Sequence, residues 1–405
     1  MITNLEDMVK IVELRYQRAR EALEKNGFDA WLILGRESNI LGQPSLLYMM
    51  HAEVMNRTAI IVTRDGRRIV LSAAIEMEEK EGSGIFTDTV VYRGCRGFVD
   101  KLTEALASLM PMNKLAVDMS VNDPSSDGMS HSDFLLVEEC LKKIGFAGEL
   151  VSSEPVMKLI RGKKSDLEVQ KIAYAVQKAM EVFDEARPQM RVGMSGYDVE
   201  MLFQRIMRGH GYGFTWNELS NPFVSVGARS SYLCKRPPKD VFIQPGDLVN
   251  VDLGMRVDGF SSDNQRSFYA LRPGETEPPA EVTKAWKTIQ RMNREVCAAM
   301  KTGYDSDLLT EIGHRIMLDS GYPDGWPWSY GHELGVFAHN GGIASGRTVR
   351  LTKMDTILEE NMTFTLEPSI ITPMGRLCQE EVVRVTKDGG QMLSTPQTEV
   401  WLITE

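Results

Sequence analysis

Two aspartates inside a predicted β-hairpin constrain this chain more than any other feature of its sequence. Asp252 and Asp263 lie in the strand-like segments Leu-Val-Asn-Val-Asp-Leu-Gly and Phe-Ser-Ser-Asp-Asn-Gln-Arg-Ser-Phe. Aspartate is depleted in strand interiors because it competes with the backbone ladder and packs poorly. A turn at Asp258-Gly259 joins strands over 248–254 and 259–271 and pairs residue 252 with residue 265. Asp263 then becomes the diagonal neighbour of Asp252 on one face of the hairpin.

This shared face has two interpretations. Two carboxylates on a buried face repel each other unless a cation lies between them, so a buried hairpin predicts a metal site. The alternative is a solvated face of the sheet, where both carboxylates contact water.

Two histidines lie seven residues apart in the glycine-rich segment Gly-His332-Glu-Leu-Gly-Val-Phe-Ala-His339-Asn-Gly-Gly. Imidazole is a common metal ligand and proton carrier, and neighbouring glycines let the backbone approach a bound group. A single histidine is more often structural, so each is a candidate only in combination with other residues. The nearby Trp328 is predicted to form an apolar wall of a pocket.

Two glutamate segments complete the candidate set. Glu367 ends a predicted strand within 362–371, immediately before Pro368. Glu380 and Glu381 begin a predicted strand over 380–386, and spacing alone does not decide which of them faces a site. With one of the pair, the set holds four carboxylates and one imidazole, which suits two divalent ions such as Mn, Co, Fe or Zn. Water shared by two such ions becomes a nucleophile near neutral pH.

The order of predicted elements indicates two domains. Helices at 5–25 and 98–109 alternate with short strands at 30–34, 57–63, 68–72 and 114–118, which is typical of an α/β domain. A break is predicted within 157–164. Long helices follow at 166–187 and 197–208, then antiparallel strands, then helices at 282–300 and 306–319, which together indicate an α+β domain.

Charge and composition exclude several classes of partner. The formal net charge is −10, whereas nucleic-acid binding needs a concentrated basic surface. The sequence has no apolar run long enough to cross a membrane and no signal-peptide pattern. Its five scattered cysteines form no Cys-x-x-Cys pair, which argues against a disulfide framework or a zinc ribbon. We expect a cytoplasmic protein with no nucleic-acid or membrane partner.

The motif order Asp-Leu-Gly, Ser-Asp-Asn-Gln-Arg-Ser, Gly-His-Glu-Leu-Gly, Leu-Glu-Pro and Glu-Glu-Val-Val-Arg-Val-Thr resembles the pita-bread metallohydrolases. That family includes methionine aminopeptidase, aminopeptidase P, prolidase and the metal-free creatinase. The chain is similar to the two-domain branch. The resemblance implies a creatinase-like α/β N-terminal domain over 1–158 and an α+β pita-bread catalytic domain over 159–405. It also implies a homodimer.

The resemblance implies a role for each candidate. Asp252 would bind one ion with both oxygens, Asp263 and Glu380 would bridge two ions, and His332 and Glu367 would complete the site. Glu380 rather than Glu381 is implied because the family's ligand stands six residues before the threonine that matches Thr386. The implied catalytic residues are Glu367 as the proton carrier, His339 at the developing oxyanion, and His332. Manganese is the expected metal, with Co, Fe or Zn as alternatives.

Two departures from the family pattern concern the substrate. Peptidases of this family carry a histidine upstream of the first aspartate, where this chain has Tyr232, Cys234 and Lys235. Proline-specific members carry an arginine two residues before the last glutamate ligand, where this chain has Cys378; Arg376 or Arg384 is a candidate substitute. The candidate substrate-binding residues are therefore His339, Tyr232, Cys234, Trp328 and Arg376.

Three functions remain under consideration. The first is an Xaa-Pro dipeptidase or aminopeptidase that attacks small peptides with a metal-bridging hydroxide. The second is a small-molecule enzyme on the same scaffold, either a hydrolase of a non-peptide C–N bond or a lyase of the dimethylsulfoniopropionate type. The third is a binding module without activity, which the intact ligand set disfavours.

Overall fold

A computed structural model describes residues 4–38, 42–50, 54–229, 236, 239–322, 331–340, 344–345 and 357–404. The chain divides into two compact units, Met1–Ser165 and Asp166–Glu405. The predicted fold class, α/β followed by α+β, is confirmed. The assignment of 1–158 and 159–405 as domains stays a prediction. Within the described ranges, the helices are too short or too polar to span a membrane.

The first unit is a six-stranded sheet with helices. Its helices are α1 (Leu5–Asn26), α2 (Pro44–Met50), α3 (Met77–Gly82), α4 (Gly94–Ala107), α5 (His131–Lys143) and α6 (Glu154–Gly162). Its strands are β1 (Ala30–Gly35), β2 (Thr58–Thr63), β3 (Arg68–Ala73), β4 (Asp88–Tyr92), β5 (Lys114–Val117) and β6 (Glu149–Ser152). They lie in the order β4-β3-β2-β1-β5-β6, with β2 antiparallel to both neighbours and the other pairs parallel.

One segment of this unit differs from its prediction. Residues 157–164, predicted as the break between domains, belong mostly to helix α6. Pro155 fits the first turn of a helix, where its missing N–H has no intrahelical partner. Val156, Met157 and Ile160 are buried on one face of α6. Burial of this apolar face stabilises α6 through tertiary packing, which the sequence pattern alone does not reveal.

A buried carboxyl group lies at the end of β5. Asp118 is fully buried and accepts hydrogen bonds from Trp31 Nε1, at 2.8 Å, and from the hydroxyl of Ser153. Burial raises the pKa of Asp118 to about 6, although both hydrogen bonds oppose the shift. Below about pH 6 the folded protein therefore favours the protonated carboxyl group, whereas an unfolded aspartate has a pKa of about 3.9.

This difference predicts a pH dependence of stability. Because the folded-state pKa is raised, the free energy of unfolding should fall as the pH rises from about 4 to about 6 and stay level above that, by at most ~3 kcal/mol. Asp118→Asn keeps an acceptor for Trp31 and should lack this contribution. Urea unfolding of the metal-free wild type and variant at several pH values measures the difference. Parallel curves across this window would contradict the prediction.

The second unit contains the long hairpin. Its helices are α7 (Asp166–Ala186), α8 (Gly196–Gly209), α9 (Ala280–Ala299) and α10 (Asp307–Asp319). Its strands are β7 (Gly213–Phe214), β8 (Phe223–Val226), β9 (Leu248–Val257), β10 (Phe260–Ala270), β11 (Gly331–His332), β12 (Ala344–Ser345), β13 (Thr363–Leu366), β14 (Ser369–Thr372), β15 (Gly375–Cys378), β16 (Glu381–Val385), β17 (Gly390–Met392) and β18 (Trp401–Ile403). The main sheet has the order β18-β10-β9-β7, and β8 also pairs with β9.

The predicted hairpin register is confirmed. Gln265 pairs with Asp252, and Asp263 pairs with Gly254. The turn residue Asp258 has a φ of 48° and is followed by Gly259 with a φ of 82°, as a tight turn between twisted strands requires. One face of each hairpin strand packs in an apolar cluster that includes Val249, Val251 and Phe268. Burial of this face excludes a one-residue slip, which would turn the aspartates away from their common side.

Candidate metal centre

The five predicted ligands come from four places in the second unit. Asp252 lies on β9 and Asp263 on β10, so the hairpin supplies two carboxylates. His332 lies on β11, where Gly331 is packed so closely that an added Cβ would come within 1.9 Å of the Thr365 carbonyl oxygen. The other two ligands, Glu367 and Glu380, stand just outside strands, after β13 and before β16.

The structure brings these side chains together. Ligand atoms of Asp263, His332 and Glu380 lie within 4.8 Å of one another. The Nε2 atom of His332 is 3.6 Å from Asp263 Oδ2 and 3.9 Å from Glu367 Oε1. The carboxyl groups of Asp252 and Asp263 are within hydrogen-bonding reach of each other. All five candidates therefore border one small polar volume.

Burial and like charge make this cluster unfavourable without a cation. Burial, reinforced by neighbouring carboxylates, raises the pKa of Asp252 to about 7 and the pKa values of Asp263 and Glu380 well above their usual range. Burial also raises the pKa of Glu367, against the opposing charge of Arg376. Asp252 Oδ1 is buried and has no hydrogen-bond partner among the described residues. Divalent cations would neutralise the carboxylates and occupy their free lone pairs.

His332 is oriented as a metal ligand requires. Its Nδ1 lies 3.4 Å from the Glu333 carbonyl oxygen, and its backbone N–H donates to Thr365 Oγ1. A proton on Nδ1 leaves the Nε2 lone pair directed toward the carboxylates. Burial lowers the pKa of His332 to about 4, so the ring is neutral at pH 7. The donor set therefore fits two borderline or hard divalent ions, which accept imidazole and carboxylate ligands.

The other predicted residues differ in what the structure describes. His339 is exposed, and its ring centroid lies 4.3 Å from that of His332. Arg376 is buried on β15 near Asp252 and Glu367, where its charge opposes the rise that burial causes in the pKa of both carboxyl groups. Tyr232, Cys234 and Trp328 lie outside the described residues.

The two candidate substitutes for the family's arginine are in different surroundings. Arg384 binds Asp166 at 2.8 Å and Asn361 at 2.7 Å, so its guanidinium is engaged away from the ligands. Arg376 supplies the positive charge that acts on the cluster. Cys378 is fully buried, and burial raises the pKa of its thiol well above the usual range, so it carries no charge at neutral pH.

Sequence reasoning missed three neighbours of Glu380. Gln265 Nε2 donates to Glu380 Oε2 at 2.9 Å, and Asn264 Nδ2 donates to the Glu380 carbonyl oxygen at 3.2 Å. Arg266 Nη1 donates to the same carbonyl oxygen at 2.9 Å, while its Nη2 binds Glu381 Oε2 at 3.1 Å. The alternation of β10 places Gln265 on the face of Asp263, a signal that the sequence contained. The contacts of these residues with Glu380, more than a hundred residues later in the chain, could not be predicted from the sequence pattern.

The main sheet supplies Asp252 and Asp263, and segments in or next to other strands bring His332, Glu367 and Glu380 beside them, an arrangement that fits a metal-dependent hydrolase of the pita-bread kind. The model of metallopeptidase family M24 matches residues 170–389. This match spans more than half of the chain, and the chain belongs to that family. The resemblance inferred from the five motifs is therefore confirmed, and the protein is an enzyme of a hydrolase family.

Similar proteins match nearly the full length of the chain. It is 22% identical over 392 residues to an Xaa-Pro dipeptidase of Pyrococcus horikoshii, a match that covers 96% of this chain and 99% of that protein. The structure of an X-Pro aminopeptidase from Thermotoga maritima has a TM-score of 0.76 at 22% identity, covering 95% of this chain and 100% of that one. The structure of an Xaa-Pro dipeptidase from Bacillus anthracis has a TM-score of 0.77 at 20% identity, covering 97% of this chain and 100% of that one. These structural likenesses show the two-domain fold.

Proposed function

We propose that this protein is a dinuclear metal-dependent peptidase of the Xaa-Pro dipeptidase or aminopeptidase type. The observation that carries the proposal is the convergence of Asp263, His332 and Glu380, with Asp252 and Glu367 beside them, in a chain of metallopeptidase family M24. The similarity to an Xaa-Pro dipeptidase over nearly the full length of both chains supports a small peptide as the substrate.

The proposed ligands are Asp252, Asp263, His332, Glu367 and Glu380, with Asp263 and Glu380 shared by both ions. When bound, the two ions would lower the pKa of a water molecule and polarise the scissile carbonyl group. Manganese is the proposed metal, because a carboxylate-rich set with one imidazole suits it. We further propose that the protein forms a homodimer and is located in the cytoplasm.

The side chains of the site supply the proton transfers and orientation. Glu367 is partly exposed beside His332, so its carboxylate would accept a proton from the attacking water and pass it to the leaving amine. His339, exposed beside His332, would donate a hydrogen bond to the oxygen on which negative charge develops. The guanidinium of Arg376 is the proposed contact for a carbonyl or carboxylate group of the substrate.

A second candidate is a small-molecule enzyme on the same scaffold. It is favoured by Cys378, a buried neutral thiol at the position where proline-specific relatives carry a charged arginine. In that case, the substrate would have no group that requires this arginine, and Arg376 would bind a different part of it.

A peptide panel distinguishes the two candidates. Metal-stripped enzyme resupplied with Mn, Co, Fe or Zn should release amino acids from dipeptides and tripeptides, and matched pairs such as Ala-Pro and Ala-Ala test the need for proline. We expect metal-dependent cleavage with a preference for the proline member, because the chain resembles Xaa-Pro peptidases. The measurement is amino-acid release with time, with metal-free enzyme as the control. Protein that holds two ions yet cleaves no peptide would favour the small-molecule enzyme.

A further inference from the structure

A neutral amide occupies the middle of the acidic cluster. Gln265 lies directly opposite Asp252 in the hairpin and two residues after Asp263, so its side chain projects from the same face. It is 1% exposed. A buried polar side chain costs folding free energy unless its donors and acceptors are satisfied. Its place among the proposed ligands therefore needs an explanation other than packing.

The amide nitrogen joins the two glutamates. Gln265 Nε2 lies 2.9 Å from Glu380 Oε2 and 3.3 Å from Glu367 Oε2. An amide NH2 group has two hydrogens, one for each carboxylate. Chemistry fixes this orientation, because the amide oxygen would repel both carboxylates. One side chain on β10 thus cross-links residues that reach the site from two other parts of the chain.

The contact with Glu367 leaves its other carboxylate oxygen beside the proposed histidine ligand. With Oε2 held by the amide, Oε1 of Glu367 lies 3.9 Å from His332 Nε2. The amide oxygen of Gln265 is buried and has no hydrogen-bond partner among the described residues. A buried amide oxygen without a partner costs free energy, which the contacts of the amide nitrogen with two proposed ligands can offset.

We propose that Gln265 is a positioning residue of the metal centre, which holds Glu367 and Glu380 in the geometry that binds the ions. The inference rests on the proposed metal-dependent function. Partners that orient metal ligands contribute strongly to affinity although they do not touch the metal. Without the amide donors, two mutually repelling carboxylates would separate in the metal-free protein and would have to be reassembled when the ions bind.

The test is manganese titration of metal-stripped protein by calorimetry, together with thermal unfolding of the metal-free form. Gln265→Met keeps the side-chain length and removes both donors. Gln265→Asn keeps the amide but shortens its reach. This smaller polar side chain provides a second test of the inference if Gln265→Met does not fold. Both should bind manganese about 10- to 100-fold more weakly than wild type, and the metal-free variants should still unfold in one cooperative transition, which excludes misfolding as the cause. Gln204→Met, which alters a buried glutamine of α8, is the matched control and should bind manganese as wild type does.

The outcomes separate this inference from the proposed function. Wild-type affinity in both Gln265 variants would overturn the positioning role and leave the metal centre intact. A wild-type protein that binds no divalent ion would overturn both. An equal loss of affinity in the Gln204 control would show that any buried glutamine matters for the fold, and would also overturn the specific role of Gln265.

Discussion

Replacing Asp263 with alanine is expected to abolish divalent metal binding and peptidase activity together. Asp263 is 3% exposed, its ligand atom lies in the group formed with His332 and Glu380, and it is within reach of Asp252. A carboxylate shared by two ions cannot be removed without weakening both sites. Metal content after dialysis and turnover of a peptide substrate should therefore fall to background in the same variant.

The controls for this prediction separate lost charge from lost volume. Asp263→Asn keeps the shape of the side chain and should fail in the same way, because the missing charge rather than a cavity causes the loss. Asp118→Asn removes a buried carboxyl group of the first unit and should retain metal and activity. An Asp263→Ala protein that still holds two ions would show that this residue is not a bridging ligand.

The same substitution is expected to affect different properties at two adjacent glutamates: Glu381→Gln should lower stability, and Glu380→Gln should abolish metal binding. Glu381 is 0% exposed and its carboxylate lies 3.1 Å from Arg266, which is 1% exposed. Glu381 also accepts hydrogen bonds from Ser394 and Gln379. Glu381→Gln would leave the Arg266 charge buried without its counter-charge, a change that typically lowers the free energy of unfolding by about 3–5 kcal/mol. Urea unfolding of the metal-free protein measures this loss.

Glu380→Gln should instead leave the metal-free protein as stable as wild type, or more stable, while its affinity for divalent ions is lost. This substitution removes one of several negative charges that repel one another inside the cluster and retains an oxygen for the Gln265 amide. Comparing the two variants in the same unfolding and manganese titrations gives each a matched control. If Glu380→Gln were the less stable variant, or if Glu381→Gln alone lost the metal, the roles assigned to the two residues would be reversed.

The hairpin that carries the first two proposed ligands could be predicted from sequence because its information is local. Asp258 and Gly259 favour a tight turn, the alternation of apolar residues selects one face, and together they specify the observed pairing of Asp252 with Gln265. The helices α1, α7, α8 and α9 were predicted nearly to their ends, since long amphipathic periodicity is a strong signal. The short helices α2 and α3 depend on tertiary packing and were missed.

The choice between Glu380 and Glu381 could not be made from spacing alone. The structure shows what decides it: Arg266, on a distant strand, binds the side chain of Glu381 and the backbone carbonyl of Glu380. The resemblance to the family implied Glu380, which is the member whose side chain lies beside Asp263 and His332. The amide contacts of Gln265 were missed for the same reason, because they join β10 to residues that sequence periodicity does not relate to it.

The distribution of the ligands along the chain has a consequence for biosynthesis. Asp252 and Asp263 meet as soon as their hairpin forms, but the other proposed ligands lie on segments that leave the ribosome much later, Glu380 last of all. A nascent chain that does not yet reach His332 therefore offers only this pair of carboxylates from the proposed set, and a pair binds divalent ions weakly. Glu380 reaches the hairpin through hydrogen bonds with the backbone and side chain of Gln265, and the strand that follows it, β16, pairs with β13, which is also translated after the hairpin. Metal loading should therefore come late, and tightly held metal should mark a finished catalytic unit and distinguish it from truncated or misfolded chains.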